Sequence, residues 1–281
     1  MPDNQAEKNQ NYKAIIEQKC FDITKDEDLG IYCDIFSAKT DIEGQDGGVV
    51  STLLVKGFEE KLFDAAIVVR RGNGYCAEAV IAEKPSDVLA AKGTKYLKVN
   101  VTKKLRELIS QGKKRIAVVC TPCEANAARK IQQTLKNDCE ITIIGLFCFE
   151  AFNCAKIKEE VKSQLGVDLD KAQKTQVKYG KFTVFVDGKE YSCKVNDLDA
   201  AAEKVCRYCG DFTAQLADVS VCSVGSKKGY STVIVRSKAG EKLIKNLDAA
   251  KEMVDREEIV RLSKFKRERA KKSLAVLKEA K

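Results

Sequence analysis

Twelve cysteines stand in a 281-residue chain that has no histidine, so thiolate sulfur is the strongest ligand and nucleophile available to it. Without imidazole there is no Ser-His or Cys-His catalytic pair, no histidine-bound zinc and no histidine proton switch. Demanding chemistry would have to belong to a bound cofactor. The clearest thiol pair is Cys206-Arg207-Tyr208-Cys209, followed by Gly210, a spacing that lets two sulfurs from one turn reach one metal centre. Two more cysteines follow apolar runs that read as strands: Cys123 after Ile116 to Pro122, and Cys148 after Ile141 to Phe147. A cubane cluster takes four thiolates from points distant in sequence and close in space, and strand ends along one edge of a sheet are such points. These residues favour one [4Fe-4S] cluster on Cys123, Cys148, Cys206 and Cys209. Spacing alone does not choose the metal. A four-cysteine structural zinc site fits Cys206 and Cys209 nearly as well, and Cys120-Thr121-Pro122-Cys123 can be read as a thioredoxin-type pair. Taken singly, Cys20, Cys33, Cys76, Cys120, Cys139, Cys154, Cys193 and Cys222 read as small buried hydrophobes.

The elements that must position these thiols are those of an α/β (mixed α+β) fold. After Gln45-Asp46-Gly47-Gly48, the run from Val49 to Val55, continuing towards Phe58 and Leu62, has helical spacing. Ala65 to Val69 and Tyr75 to Ala82 read as strands joined through Arg71-Gly72-Asn73-Gly74. That turn lacks the third glycine and the following helix of a dinucleotide fingerprint. Leu105 to Ile109, Ile116 to Cys120, Ala125 to Leu135 and Ile141 to Phe147 alternate helix and strand, the pattern of a parallel α/β unit flanked by helices. A helical stretch from Ile157 to Leu165 precedes a hairpin, Phe182 to Val186 and Tyr191 to Val195, turning at Asp187-Gly188. A second strand pair, Ala217 to Gly225 and Ser231 to Arg236, leads to a basic C-terminal helix whose sparse apolar seam is Val254, Ile259, Leu262, Phe265, Leu274 and Leu277. The first 44 residues are expected to lie over this core rather than form it. Residues 45–281 then form one functional domain, divisible into halves at 45–115 and 116–281.

The composition, 44% hydrophobic and 32% charged, is that of a globular core. The polar first ten residues and the lack of any stretch of about 18 apolar residues argue against secretion and membrane spans. The chain therefore reads as soluble and cytoplasmic, where thiols stay reduced. The net charge of +9 would suit an acidic ligand. Nucleic acid is disfavoured because the lysines are interspersed with acidic residues and no zinc-finger, helix-turn-helix or aromatic-basic motif is present.

Several segments, in order, resemble the beta subunit of coenzyme F420-reducing hydrogenases and its relatives in formate dehydrogenase and other archaeal redox complexes. They are Gln45 to Gly48, Ala91 to Tyr96, Thr121-Pro122-Cys123, Gly145 to Cys148, Cys206 to Thr213, Gln215, Ala217 to Ser220, Ser223 to Ser226 and Gly229 to Thr232. The resemblance implies a subunit carrying FAD and a [4Fe-4S] cluster that passes electrons between a partner's metal centre and the deazaflavin coenzyme F420. It puts the cluster on Cys123, Cys148, Cys206 and Cys209. Cys222, Cys20, Cys33 and Cys76 leave a second cluster open. A flavin converts single electrons from the cluster to hydride for the deazaflavin, so no protein acid or base is required.

For the flavin, the resemblance directs attention to Asp46, Gly47, Gly48 and Ser51 at a helix start, where backbone N–H groups favour anions. Thr94, Lys95 and Tyr96 would add a hydroxyl, a positive charge and a stacking face, and Ser223, Gly225 and Ser226 a third small-residue loop. Each of these alone also reads as a cap or turn. Expected partners are subunits of hydrogenase, formate dehydrogenase, heterodisulfide reductase or carbon monoxide dehydrogenase type. Alternatives are another acceptor, such as ferredoxin, sulfite or a quinone, and a zinc-stapled assembly subunit.

Overall fold

The computed structural model of the chain describes residues 24–135 and 138–279. At its centre is an eight-stranded mixed sheet in the order β13-β3-β12-β11-β7-β6-β4-β5. These strands are β3 (Asp34–Lys39), β4 (Ala65–Arg71), β5 (Ala77–Ala82), β6 (Arg115–Cys120), β7 (Glu140–Leu146), β11 (Val219–Cys222), β12 (Ser231–Val235) and β13 (Ala250–Glu252). β4, β6, β7 and β11 are parallel, whereas β5 and β12 return antiparallel beside them. β3 is antiparallel to β12 and so points with the parallel set. The carboxyl ends of β3, β4, β6, β7 and β11 therefore share one edge, the edge at which open α/β sheets bind ligands.

The near-continuous apolar runs of the central strands follow from burial on both faces. One face packs on α1 (Val49–Glu59), α2 (Pro85–Ala90) and α6 (Lys238–Ile244), through Leu53, Leu54, Phe63, Val119, Ile144 and Leu243 among others. The other packs on α3 (Thr102–Ser110) and α4 (Pro122–Thr134), through Leu105, Leu108, Val118, Ala125, Ile131 and Ile143. Residues 113 to 146 form the expected β-α-β unit, with β6 and β7 in parallel register from Arg115↔Glu140 to Cys120↔Gly145.

A smaller layer stands beside the sheet. It comprises α5 (Cys154–Leu165) and an antiparallel sheet of β8 (Lys174–Lys178), β9 (Lys181–Val186) and β10 (Lys189–Lys194) around Phe152, Ile157, Val161, Phe182 and Val184. The Asn153 side chain caps α5 by accepting from the backbone N–H of Ala155 (3.1 Å) and Lys156 (3.3 Å). The turn between β4 and β5 clasps this layer. Arg71 donates to the carbonyls of Leu169 (3.4 Å), Asp170 (3.1 Å) and Ala172 (2.5 Å), and the Tyr75 N–H donates to Asp170 (2.7 Å). Cys76 and Cys154 are joined there in a disulfide with Cα atoms 5.5 Å apart. This differs from the expectation of buried, reduced thiols: both stand partly exposed at the junction of the two layers.

Three further expectations are corrected. Residues 24–39 help to form the core: β3 runs through the sheet between β13 and β12, and Leu29, Ile31, Tyr32, Phe36 and Ala38 are buried. β8 precedes the hairpin and makes it three-stranded. In the C-terminal helix, α7 (Arg256–Glu279), the apolar seam holds at its start, where Ile259 is buried and Leu262 packs against the core, and fails beyond it. Ile259, Ser263, Lys266 and Ala270 are hidden, while Phe265, Leu274 and Leu277 are exposed. Among the described residues no helix is long and apolar enough to cross a membrane.

Arg236 follows β12 and has no solvent exposure. It donates to the carbonyls of Leu29 (2.8 Å), Ile31 (2.9 Å) and Thr213 (3.1 Å) and to the Ser220 hydroxyl (2.9 Å). Replacing it with methionine leaves buried acceptors unsatisfied, each costing about 1–3 kcal/mol. Arg236→Met is expected to destabilise by about 3 kcal/mol and to lower the thermal midpoint by about 6 °C or more, read by circular dichroism. A midpoint unchanged within error would show that Arg236 is not a structural node.

Candidate functional site

The four expected cysteines gather at the shared carboxyl edge. Cys123 lies in the first turn of α4, immediately past β6, because Pro122 opens that helix where its missing N–H costs nothing. Its Sγ is 3.4 Å from Thr121 Oγ1 and 3.5 Å from the Nζ of Lys98, which also pairs with Glu124 at 2.7 Å. Burial would lower the Lys98 pKa, but the Glu124 bond and the charges of Cys123 and Glu124 outweigh it and hold Lys98 protonated. Cys148 follows β7, and its N–H donates to the Phe212 carbonyl (3.0 Å). Cys206 lies in a 3-10 turn, Lys204–Tyr208, with Cys209 as its cap. Their thiols face the carbonyls of Ala151 (4.0 Å) and Asp211 (3.7 Å).

The thiols feel one another. Burial pushes Cys148 up to about 12; Lys266 opposes this, and Cys206, Cys123 and Cys209 add to it. Cys206 is raised by burial and then by Cys123 and Cys209. Among the described residues, however, no three His, Cys, Asp or Glu side chains converge tightly enough to hold a single metal ion. The four sulfurs are neighbours without meeting at a point. A buried cation, Lys266, and the Nε of Arg269, buried without a hydrogen-bond partner among the described residues, lie at the loops that carry them. The donor set thus suits an anionic thiolate-bound group larger than one ion, and Cys123, Cys148, Cys206 and Cys209 are the residues that would hold it.

At the same edge, between the large sheet and β8, runs a cleft whose walls include Gln45, Tyr75, Thr94, Lys95 and Thr175. Gln45 crosses its floor, donating to the Thr175 carbonyl (3.1 Å) and accepting from the Thr94 N–H (3.4 Å). Tyr96 accepts from the Val177 N–H (2.9 Å), and burial pushes its phenol up to about 12. Lys95 donates to the carbonyls of Ala91 (2.5 Å), Lys92 (3.0 Å) and Gly93 (2.9 Å), and burial brings its pKa down to about 8. The Asp46 carboxyl is raised by burial, against the pull of Lys178, Lys174 and a hydrogen bond from Ser223. So Asp46, Ser223, Lys95 and Tyr96 come together around β8.

Protein packing already accounts for other expected positions. A Cβ on Gly47 would stand 2.2 Å from the Ala38 carbonyl oxygen, and one on Gly48, whose φ is +71°, 1.8 Å from that of Ile42. The Gly225 N–H donates to Glu258 of α7 (2.9 Å). Ser226 shares hydrogen bonds with Ser37 (2.8 Å) and Thr232 (2.7 Å). Ser51 is partly buried in the first turn of α1. Lys174, Thr175 and Lys178 were not anticipated, because β8 itself went unread. Arg71 and Lys92 also line the cleft; their signal was the basic residues flanking two of the turns already noted.

Cys76 is bonded to Cys154, so it is not a ligand of a second cluster. Cys20 lies outside the described residues, and Cys33 stands between β2 (Gly30–Tyr32) and β3. Cys222 ends β11, accepts from the Val224 N–H (3.2 Å), and is pushed up to about 12 by burial. Cys120 is part of the apolar core, and burial raises its thiol pKa, which opposes a thioredoxin-like thiolate.

Residues 35–106 match the family described as coenzyme F420 hydrogenase/dehydrogenase, beta subunit N-term, and residues 113–259 match its C terminus. The coenzyme F420 hydrogenase subunit beta of Methanothermobacter thermautotrophicus is 31% identical over 89% of this chain and 97% of its own length. The coenzyme F420-dependent sulfite reductase of Methanocaldococcus jannaschii is 37% identical over 85% of this chain, which spans only 40% of that relative. A chain of the F420-reducing [NiFe] hydrogenase complex of Methanosarcina barkeri superimposes with a TM-score of 0.85 at 27% identity, covering 90% of this chain and 94% of its own. The chain belongs to the coenzyme F420 hydrogenase/dehydrogenase beta subunit family.

Proposed function

We propose that this chain is a flavin and iron-sulfur electron-transfer subunit that oxidises or reduces coenzyme F420. The observation that carries the reading is the gathering of Cys123, Cys148, Cys206 and Cys209 at the same sheet edge as the basic cleft. The relatives support the choice of coenzyme. A hydrogenase subunit, a sulfite reductase and a formate dehydrogenase subunit share this region, and F420 is what their names have in common.

Bound FAD would exchange single electrons with the cluster and hydride with the deazaflavin. The chain's own part is to bind and to orient. Lys95 presents a cation held on three carbonyls, Tyr96 an aromatic face fixed through its hydroxyl, and Lys174 and Lys178 a positive wall on β8. Arg71, Lys92, Lys95, Lys174 and Lys178 form no ion pair among the described residues, so they can meet an anionic ligand without first breaking one. Val205, Tyr208 and Phe265 are exposed, on the thiol turn and on α7, and offer a face to a partner subunit of hydrogenase or formate dehydrogenase type.

Anaerobically purified protein is expected to carry about four iron atoms per chain and to release flavin on denaturation. Cys206→Ser with Cys209→Ser should lose most of the iron. Zinc in place of iron, or iron unaffected by these substitutions, would overturn the reading in favour of a stapled assembly subunit.

The Lys95 ammonium is disfavoured by burial and is lost as pH rises through about 8. Affinity for F420, followed by fluorescence titration, should therefore weaken about fivefold between pH 7 and pH 9, the loss of roughly 1 kcal/mol of charge-assisted interaction. In Lys95→Gln the affinity should already be low at pH 7 and flat across that window. A wild-type pH profile retained by the variant would remove Lys95 from ligand binding.

A further inference from the structure

Helix α7 presents an ammonium to the protein interior. Lys266 is 1% exposed, and its Nζ donates to the carbonyl oxygens of Cys148 and of Asp211, the latter at 2.7 Å. One turn on, Arg269 donates to the carbonyls of Phe149 (3.0 Å) and Cys206 (3.3 Å). A single helix thus pins the loop of Cys148 to the segment that carries Cys206 and Cys209.

Burying an ammonium costs several kcal/mol unless a negative charge opposes it. Carbonyl dipoles satisfy its hydrogens but carry no net charge. The neighbouring cations have their own carboxylates: Arg269 pairs with Glu150 at 2.9 Å and Lys98 with Glu124 at 2.7 Å. Lys266 forms no ion pair among the described residues. The Asp211 carboxyl accepts from the Gln215 N–H (3.1 Å) and forms no ion pair with Lys266. Metal-bound thiolates at Cys123, Cys148, Cys206 and Cys209 would supply the missing negative charge.

We propose that Lys266 is a positioning residue of the thiol site whose uncompensated charge raises the midpoint potential of the metal centre held there. The inference rests on the proposed cluster at Cys123, Cys148, Cys206 and Cys209. One-electron reduction adds one negative charge to the centre, with no bond made or broken and the electron supplied by the redox partner. A fixed cation nearby stabilises the more negative state further, with an energy inversely proportional to distance and effective dielectric. Arg269 and Lys98, each paired with a carboxylate, contribute much less.

The test is an anaerobic redox titration of the full chain, followed by electron paramagnetic resonance of the reduced centre. The variants are Lys266→Gln, which keeps an N–H donor and deletes the charge, and Lys266→Arg, which keeps the charge; iron is measured in every sample. Lys266→Gln with wild-type iron content should titrate at a lower potential, Lys266→Arg close to wild type, and Lys98→Gln in between. An unchanged potential in iron-replete Lys266→Gln overturns the inference, as does a Lys266→Arg potential that falls as far as that of Lys266→Gln. If Lys266→Gln loses iron and Lys266→Arg retains it at wild-type potential, the charged tie between the loops is upheld. Wild-type protein without iron defeats the cluster reading itself, a result that the iron analysis reveals before any potential is measured.

Discussion

The buried guanidinium of Arg236 is the constraint on which the site's geometry depends. It gathers carbonyls from Leu29 and Ile31, ahead of and within β2, and from Thr213, just past the thiol turn, together with the hydroxyl of Ser220 on β11. Burial brings its pKa down to about 10, partly offset by Asp211, so it remains a cation at neutral pH. A buried cation with directional donors tolerates few arrangements of its acceptors. Segments nearly two hundred residues apart in sequence are thereby held in one geometry. The loop from Cys209 to Thr213 inherits its position from a residue at the end of β12.

A second junction stands at the start of β11. Asp218 accepts from the Ile143 N–H (2.7 Å) and the Ser237 hydroxyl (2.5 Å) and pairs with Arg129 at 2.8 Å. This links β7, the cap of α6 and helix α4 in one buried network. Gly145 lets the layers close: a Cβ there would stand 2.5 Å from that of Ala214 and 2.7 Å from that of Ala217. Since α4 carries Cys123 and β7 leads to Cys148, the same network sets the spacing between those two thiols.

Much of the thiol site was legible because its signal is local. Apolar runs ending in Cys123 and Cys148, and a two-residue gap between Cys206 and Cys209, imply strand ends and one turn without tertiary knowledge. What escaped the sequence depends on distant pairing. β3, Asp34-Ile35-Phe36-Ser37-Ala38-Lys39, has only a short and irregular apolar pattern and is recognisable as a strand only once β12 and β13, some two hundred residues later, are in place beside it. β8, Lys174-Thr175-Gln176-Val177-Lys178, has too little apolar content to stand out from a loop. The buried face of α7 departs from the apolar seam beyond Leu262 for a related reason. Hydropathy puts Phe265 in the seam, whereas the helix turns Lys266 inward to carbonyls that only the folded loops provide. Cys76 and Cys154, 78 residues apart, carry no sign of their pairing.

The absence of histidine gains a physical meaning from this arrangement. Cations near the thiols include Lys98, Lys266 and Arg269, and the buried node behind them is Arg236. An imidazole in such a position would change charge near pH 6.5, and every electron arriving at an adjacent metal centre would shift that titration, coupling electron transfer to proton uptake. Lysine and arginine have intrinsic pKa values far above neutrality; a cation held there by a carboxylate, as Lys98 is by Glu124, keeps its charge through a redox cycle. If the proposed cluster were bound there, electrons could pass one at a time without these side chains taking up or releasing protons. In the cleft, by contrast, burial brings Lys95 down to about 8, so that this lysine can change its charge close to neutral pH.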